Sequence, residues 1–442
     1  MPGAFTPLAG KRPRLRWVRV LMARGISEVT VVSRRGLFRW AGVMPVLAAS
    51  ACAPPTSPTT SPPATGPAIQ TPGSTAPRSS KEPPDSSKQL GPNGRHWPAR
   101  TLRPGAAAHT VQVACTWEAI AKALQDVTPR QAAAGFEIQV AAGTLPQSDQ
   151  RDTLSELGHL DWKRNVLVVP RDGWGSVTMS GEARLRRLHR VTFARFNGDF
   201  VALTDCSGSN WAQSKLAHGL RIYAQELDVR DCNVYEAVVE RADIGDQDPF
   251  VYAANGSGSL GECLWEGCYS APVYRRLGSR AHLDTFQMFG RAPYRGLTLR
   301  DTVLFGSHNA ALQLGGTVPG DPGLGTPFLT LENTLLTSQR VAAATRYPMP
   351  AGAEAPTLDQ AINGAGEPHQ LHASDSLVAG TMYTTKWGEV ENSYVSSERS
   401  TQTNTAQSGS WTFRADLADM TADDLDQLAP RPSDSYLAQV WR

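Results

Sequence analysis

Leu297-Thr298-Leu299-Arg300-Asp301-Thr302 returns as Leu329-Thr330-Leu331-Glu332-Asn333-Thr334, 32 residues later. Three further segments align with this pair without gaps: Val191-x-Phe193-x-Arg195-Phe196, Leu227-x-Val229-x-Asp231-Cys232 and Cys263-x-Trp265-x-Gly267-Cys268, with successive offsets of 36, 36, 34 and 32 residues. Alternating apolar positions make each a short strand with one inward face. The next position holds Asp, Gly, Asp or Asn in four of the five, residues that tolerate a left-handed backbone at a tight corner; Arg195 is the exception. Second strands are expected at 200–203, 237–239, 271–274 and 310–314, and third strands at 220–223, 250–253 and 283–289.

Three short strands and a tight corner per repeat describe one coil of a parallel β-helix. One coil cannot bury its inward face, so several must stack. Hairpin signals such as Asn-Gly are scarce, which disfavours a β-sandwich. Over residues 111–340 the chain resembles the pectin-lyase-like superfamily of right-handed parallel β-helices. That resemblance implies an all-β solenoid opened by a short capping helix and closed by an irregular C-terminal cap. Thr116 can cap such a helix, with Ile120, Ala123, Leu124 and Val127 on one face, followed by an alternating strand Phe136-Glu137-Ile138-Gln139-Val140. The expected divisions are 1–52 signal, 53–94 tether, 95–340 β-helix and 341–442 C-terminal extension or cap, with weak strands near 377–383 and 411–413.

The N-terminus reads as an address. Nine basic side chains and one acid fill residues 1–40, and Ser33-Arg34-Arg35-Gly36-Leu37-Phe38-Arg39 precedes an uncharged stretch to Cys52. This resembles a twin-arginine signal, with Arg34 and Arg35 as the pair and Met1 or Met22 as the start. Ala49-Ser50-Ala51-Cys52 resembles a lipobox, with Ala49 where leucine is usual. It implies a lipid on Cys52, contact with the membrane surface and a place on the outer face of the cytoplasmic membrane or in the cell envelope, with ordinary cleavage after Ala51 or nearby as the alternative. From Ala53 to Leu90, 23 of 38 residues are Pro, Ser or Thr, a composition that cannot bury a core. The formal charge of +2 is an average: the chain beyond Cys52 carries 34 bases and 40 acids. The basic excess belongs to the leader and says nothing of nucleic acid. No phosphate loop or dinucleotide fingerprint occurs, and a monomer is expected.

Ionisable residues crowd most densely in Arg280-Ala281-His282-Leu283-Asp284-Thr285-Phe286-Gln287. Counting back from the repeat puts Asp248 beside His282 on the next coil, with Asp246 near and Arg275 and Arg276 just before. This grouping suits an acidic sugar polymer: Arg275 or Arg276 pairs with a uronate carboxylate, and His282 takes the acidified C5 proton. Asp246, Asp248 and Asp284 are the candidate calcium ligands, or two of them the acid/base pair of a glycoside hydrolase. No other cofactor is required. Gln287 is a candidate substrate contact, and Trp162, Trp174, Trp211 and Trp387 are candidate sugar platforms in expected loops. Trp265 is expected in the core. Against these roles, His308 and Gln313 repeat the spacing of His282 and Gln287, as a structural ladder would. Cys232 and Cys268 are expected to stack, as thiols or as a disulfide. The sequence thus favours a polysaccharide lyase on a uronate polymer, with a glycoside hydrolase or a non-catalytic envelope protein that binds glycan or a partner as the alternatives.

Overall fold

The computed structural model describes residues 89–147, 153–290, 296–314, 329–356, 358–364, 371–383 and 386–442. Arg34, Arg35, Cys52 and residues 53–88 of the tether lie outside them. The chain is predominantly β, and its strand ladders among the described residues are parallel, an arrangement consistent with an all-β solenoid. The one antiparallel contact among them is an isolated bridge between Arg276 and Ala353.

Each coil crosses three faces. On the first, Val191–Ala194 pairs with the start of Asn210–Ala224, then Asn233–Val239, Cys263–Glu266, Leu297–Arg300, Leu329–Glu332 and Leu371–Ser374 follow in register. Directly after these strands the chain turns through a stack of left-handed residues. Arg195, Gln213, Glu236, Gly267, Asp301, Asn333, Asp375 and Asn392 all have φ between 43° and 67°. The turn lets each strand continue onto a second face through pairs such as Val238 with Tyr269 and Val303 with Leu335. The third face stacks Leu220, Phe250, Phe286, Leu312 and Ile362 inward.

Four of the five expected corners stand. The fifth is corrected: the equivalent of Arg195 is Glu236, not Asp231, and Gln213 inserts a coil between them. Asp231 is left-handed too, φ 52°, but belongs to the corner that precedes the first face. Early coils are shorter than the assumed spacing, so two real turns mimic one long repeat. For the same reason Asn197–Thr204 lies on the third face rather than the second, and Ala310–Gln313 lies there too because Val303–Leu304 already forms the second-face strand of its coil. Cys232 stacks on Cys263, two residues before the Val234–Trp265 pair, and not on Cys268. All five described cysteines are free, and burial pushes Cys206 and Cys263 up to about 12.

Trp117–Gln125 is the N-terminal helix, capped by the Thr116 side chain, which accepts from the Ala119 N–H. It buries Trp117, Ile120, Ala123 and Leu124. Pairing does not fade after residue 340: Leu371–Ser374, Lys386–Glu391 and Thr405–Gly409 extend the first face, and Thr412–Phe413 pairs with Tyr394–Val395. The chain then turns back along the second face, where Leu437 and Trp441 pack with Tyr269, Phe305 and Tyr347.

Both ends of this fold meet at Glu236, which is fully buried. Its carboxylate accepts from the Asn93 N–H at 3.1 Å, lies 2.9 Å from His96 Nδ1 and accepts from Trp441 Nε1. His96 Nε2 sits 3.0 Å from Asp301 Oδ2. Burial pulls the His96 pKa down, but Asp301 and Glu236 outweigh it and set it at about 9. No helix among the described residues is long and apolar enough to cross a membrane.

Candidate functional site

The expected cluster comes together only in part, because the register slips by two residues. Phe250 pairs with Phe286, which puts Asp248 beside Asp284 rather than beside His282. The Asp284 N–H donates to Asp248 Oδ1 at 2.8 Å. Asp284 is fully buried; Asn309 Nδ2 donates to its Oδ1 at 2.7 Å, and its Oδ2 has no partner among the described residues. Burial, then the neighbouring Asp248, pushes the Asp284 carboxyl well above the usual range. Asp248 is raised to about 6 by burial, which the Asp284 N–H and Arg221 oppose.

The other members disperse. Arg275 holds Glu354 through two hydrogen bonds, 3.2 Å from Nε and 2.7 Å from Nη2. Arg276 and His282 are exposed. Gln287 pairs in register with Gln313, so the structural ladder is real, and Ala310 takes the place of Asp284 in its second copy. Asp246, Asp248 and Asp284 do not bring three ligand atoms round one point. Among the described residues the only such trio of His, Cys, Asp or Glu is His96, Glu266 and Asp301, where Glu236 and Asp301 already engage both His96 nitrogens.

The tryptophans are corrected as well. Trp211 is an inward core residue, 5.7 Å from Phe193 and stacked on it. Trp162 and Trp387 are buried, and Trp174 packs edge-on against Trp441 at 5.4 Å. Trp265 lies in the core as expected, between Phe250 and Phe286.

The feature that the sequence pattern does not announce is a cleft of about 930 Å³ on the third face. It is lined by Glu182, Arg184, Asp199, His218, Arg221, Arg241, Asp243, Asp246 and Gln247. A second hollow of about 780 Å³ continues it, sharing Asp199, Ala217 and Arg241. Asp199 stands between two β-bulges. One lies in Val177–Arg186, between Met179 and Glu182; the other lies in Asn210–Ala224, between Leu216 and Gly219. Bulges re-aim side chains and concentrate beside functional sites. The first lets the Gly181 N–H donate to Asp199 Oδ2 at 2.7 Å. The second puts His218, exposed, on the cleft wall. Gly219 closes that bulge at φ 120°, where a Cβ would fall 1.8 Å from the Pro249 carbonyl oxygen.

The arginines of the cleft differ in their freedom. Arg184 pairs with Glu182 at 2.7 Å and Arg241 with Asp243 at 2.9 Å. Arg221 forms no ion pair among the described residues. Its Nη2 donates to Gln247 Oε1 at 3.0 Å and its Nη1 to Tyr223 Oη at 3.4 Å, its guanidinium lies 4.5 Å over the Phe200 ring, and its buried Nε lacks a partner. An unpaired guanidinium on an aromatic platform presents a planar donor fork, the partner that a carboxylate fits. The signal available in the sequence was the break in alternation at Ala217-His218-Gly219. No family model matches the chain, and no curated protein matches it.

Proposed function

We propose that this protein is an exported, lipid-anchored right-handed β-helix of the pectin-lyase-like kind that cleaves a uronate-containing polysaccharide by elimination in the cleft around Asp199. The observation that carries the reading is Arg221, a cation without a carboxylate partner among the described residues, on the same strand as His218 and in the same cleft. Arg221 holds the uronate carboxylate and spreads its charge, which acidifies the proton on C5. His218 takes that proton. The electron pair left on C5 forms the C4–C5 double bond, the C4–O bond breaks, and the imidazolium returns the proton to the leaving oxygen. Stacked coils advance by about 4.8 Å, close to the rise of one pyranose in an extended chain, so a polymer laid along the coil axis meets one coil per sugar. Export through the twin-arginine route and attachment through Cys52 rest on the leader motifs and place the cleft where glycans are. Calcium enters no step.

The hydrolase reading loses one of its three candidate carboxylates, because Asp284 is fully buried, and of the other two only Asp246 lines the cleft. A binding role without cleavage has one observation in its favour: the ion pairs Arg184–Glu182 and Arg241–Asp243 already occupy two of the cleft cations. The purified protein, incubated with acidic and neutral polysaccharides, separates these readings. Ultraviolet absorbance from unsaturated ends is the expected result; reducing ends without absorbance would mark a hydrolase, and binding without either would mark a binding protein.

A further inference from the structure

The corner that precedes the first face carries a left-handed ladder of its own: Arg190 (φ 57°), Gly208 (φ 65°) and Asp231 (φ 52°) on successive coils. Glycine and aspartate are ordinary there; an arginine carries a steric penalty that the surroundings must hold in place. Arg190 opens into a polar pocket of about 160 Å³, lined also by Arg100, Asn210, Asp231, Asn233 and Tyr235. It lies outside the first face, beside the segment Pro98–Arg100, and shares no lining residue with the cleft.

The pocket carries two guanidiniums and one carboxylate, that of Asp231. Among the described residues the Arg190 side chain makes one hydrogen bond, from Nε to the Leu160 carbonyl at 3.3 Å, and neither it nor Arg100 forms an ion pair. Burial, then the charge of Arg100, pulls the Arg190 pKa down, with Asp231 opposing. Two guanidiniums against the single Asp231 carboxylate leave the hollow net positive, which favours an anion. The same pocket holds an unmet acceptor. Asn165 is 3% exposed; its Nδ2 donates to Thr192 Oγ1 at 3.2 Å and to the Gly208 carbonyl at 2.7 Å, while its Oδ1 is buried with no partner among the described residues. A buried oxygen without a donor is costly unless a ligand supplies one.

We propose that this pocket binds a sugar acid as a monosaccharide or chain end, its carboxylate on Arg100 and Arg190 and a hydroxyl donating to Asn165 Oδ1. Sulfate, with no hydroxyl, satisfies only the first half of that description, and neutral sugars only the second. The site stands apart from the cleft, so its failure leaves the elimination reading untouched.

Calorimetric titration of the full-length protein with glucuronate, glucose and sulfate tests it. Saturable glucuronate binding is expected, at least tenfold tighter than either comparator. Arg190→Gly, which suits the left-handed corner, should lose tenfold or more in glucuronate affinity with an unchanged or raised Tm. Arg100→Gln repeats the test at an exposed side chain, where folding is not at stake. The Arg190-dependent part of the titration should persist in Arg221→Gln, whatever uronate the cleft itself holds. Glucose or sulfate binding as tightly as glucuronate would overturn the proposal. So would full affinity in both arginine variants, or loss of binding through Arg221→Gln alone.

Discussion

The backbone N–H of Asp284 donates to the carboxylate of Asp248 across two adjacent coils, so a fully buried carboxyl sits against a half-buried one. Such a pair opposes double ionisation.

A carboxyl whose folded pKa lies above its unfolded value binds more protons when folded, so stability falls as pH rises through that window. For Asp248 the window runs from the ordinary carboxylate range to about 6. Asp284, raised further by burial and by Asp248, extends the same trend, so Asp284→Asn should raise stability at pH 8, with the gain shrinking toward pH 4. Thermal unfolding across that range checks both sign and slope.

His96 is a base whose folded pKa is also raised, to about 9, so its contribution is complete below pH 6.5 and is lost as pH climbs through 9. Wild-type protein should lose about 3 kcal/mol between pH 6.5 and 10 relative to His96→Asn. The comparison needs only urea midpoints for the two proteins at several pH values.

Asn333 turns the chain at φ 47° and its Nδ2 donates to Asp301 Oδ1. Replacement by valine should destabilise by about 1–2 kcal/mol more than replacement by glycine, because only the β-branched residue meets the left-handed steric penalty. Equilibrium denaturation of the two variants gives that difference directly.

Cys206, Cys232, Cys263 and Cys268 are buried with raised pKa values, whereas Cys115 is only half-buried. The four buried thiols should resist a thiol reagent in native buffer and react within minutes in denaturant. Mass spectrometry of the labelled protein reads the sites.

Much of the first face is legible in the amino-acid sequence, because inward alternation and a left-handed corner leave separate marks there. Gly267, Asp301 and Asn333 mark corners through residues chosen for backbone conformation. Glu236 and Gln213 do not: they are ordinary side chains held left-handed by stacking and, at Glu236, by bonds to Asn93 and Trp441. Coil length therefore varies without a visible signal, which shifts Asp248 onto Asp284 and draws Trp211 from an expected loop into the core. The cleft is hidden for a related reason. It is built by two bulges, and a bulge breaks the period-two pattern by which a strand is read.

The most direct measurement is the initial rate of absorbance from unsaturated sugar ends on a uronate polymer, compared between wild type and His218→Gln. The account predicts a rate for the wild type that falls by about 100-fold or more in the variant, with polymer binding kept. Equal rates in the two proteins would contradict it, as would absorbance abolished by Asp284→Asn with His218 intact.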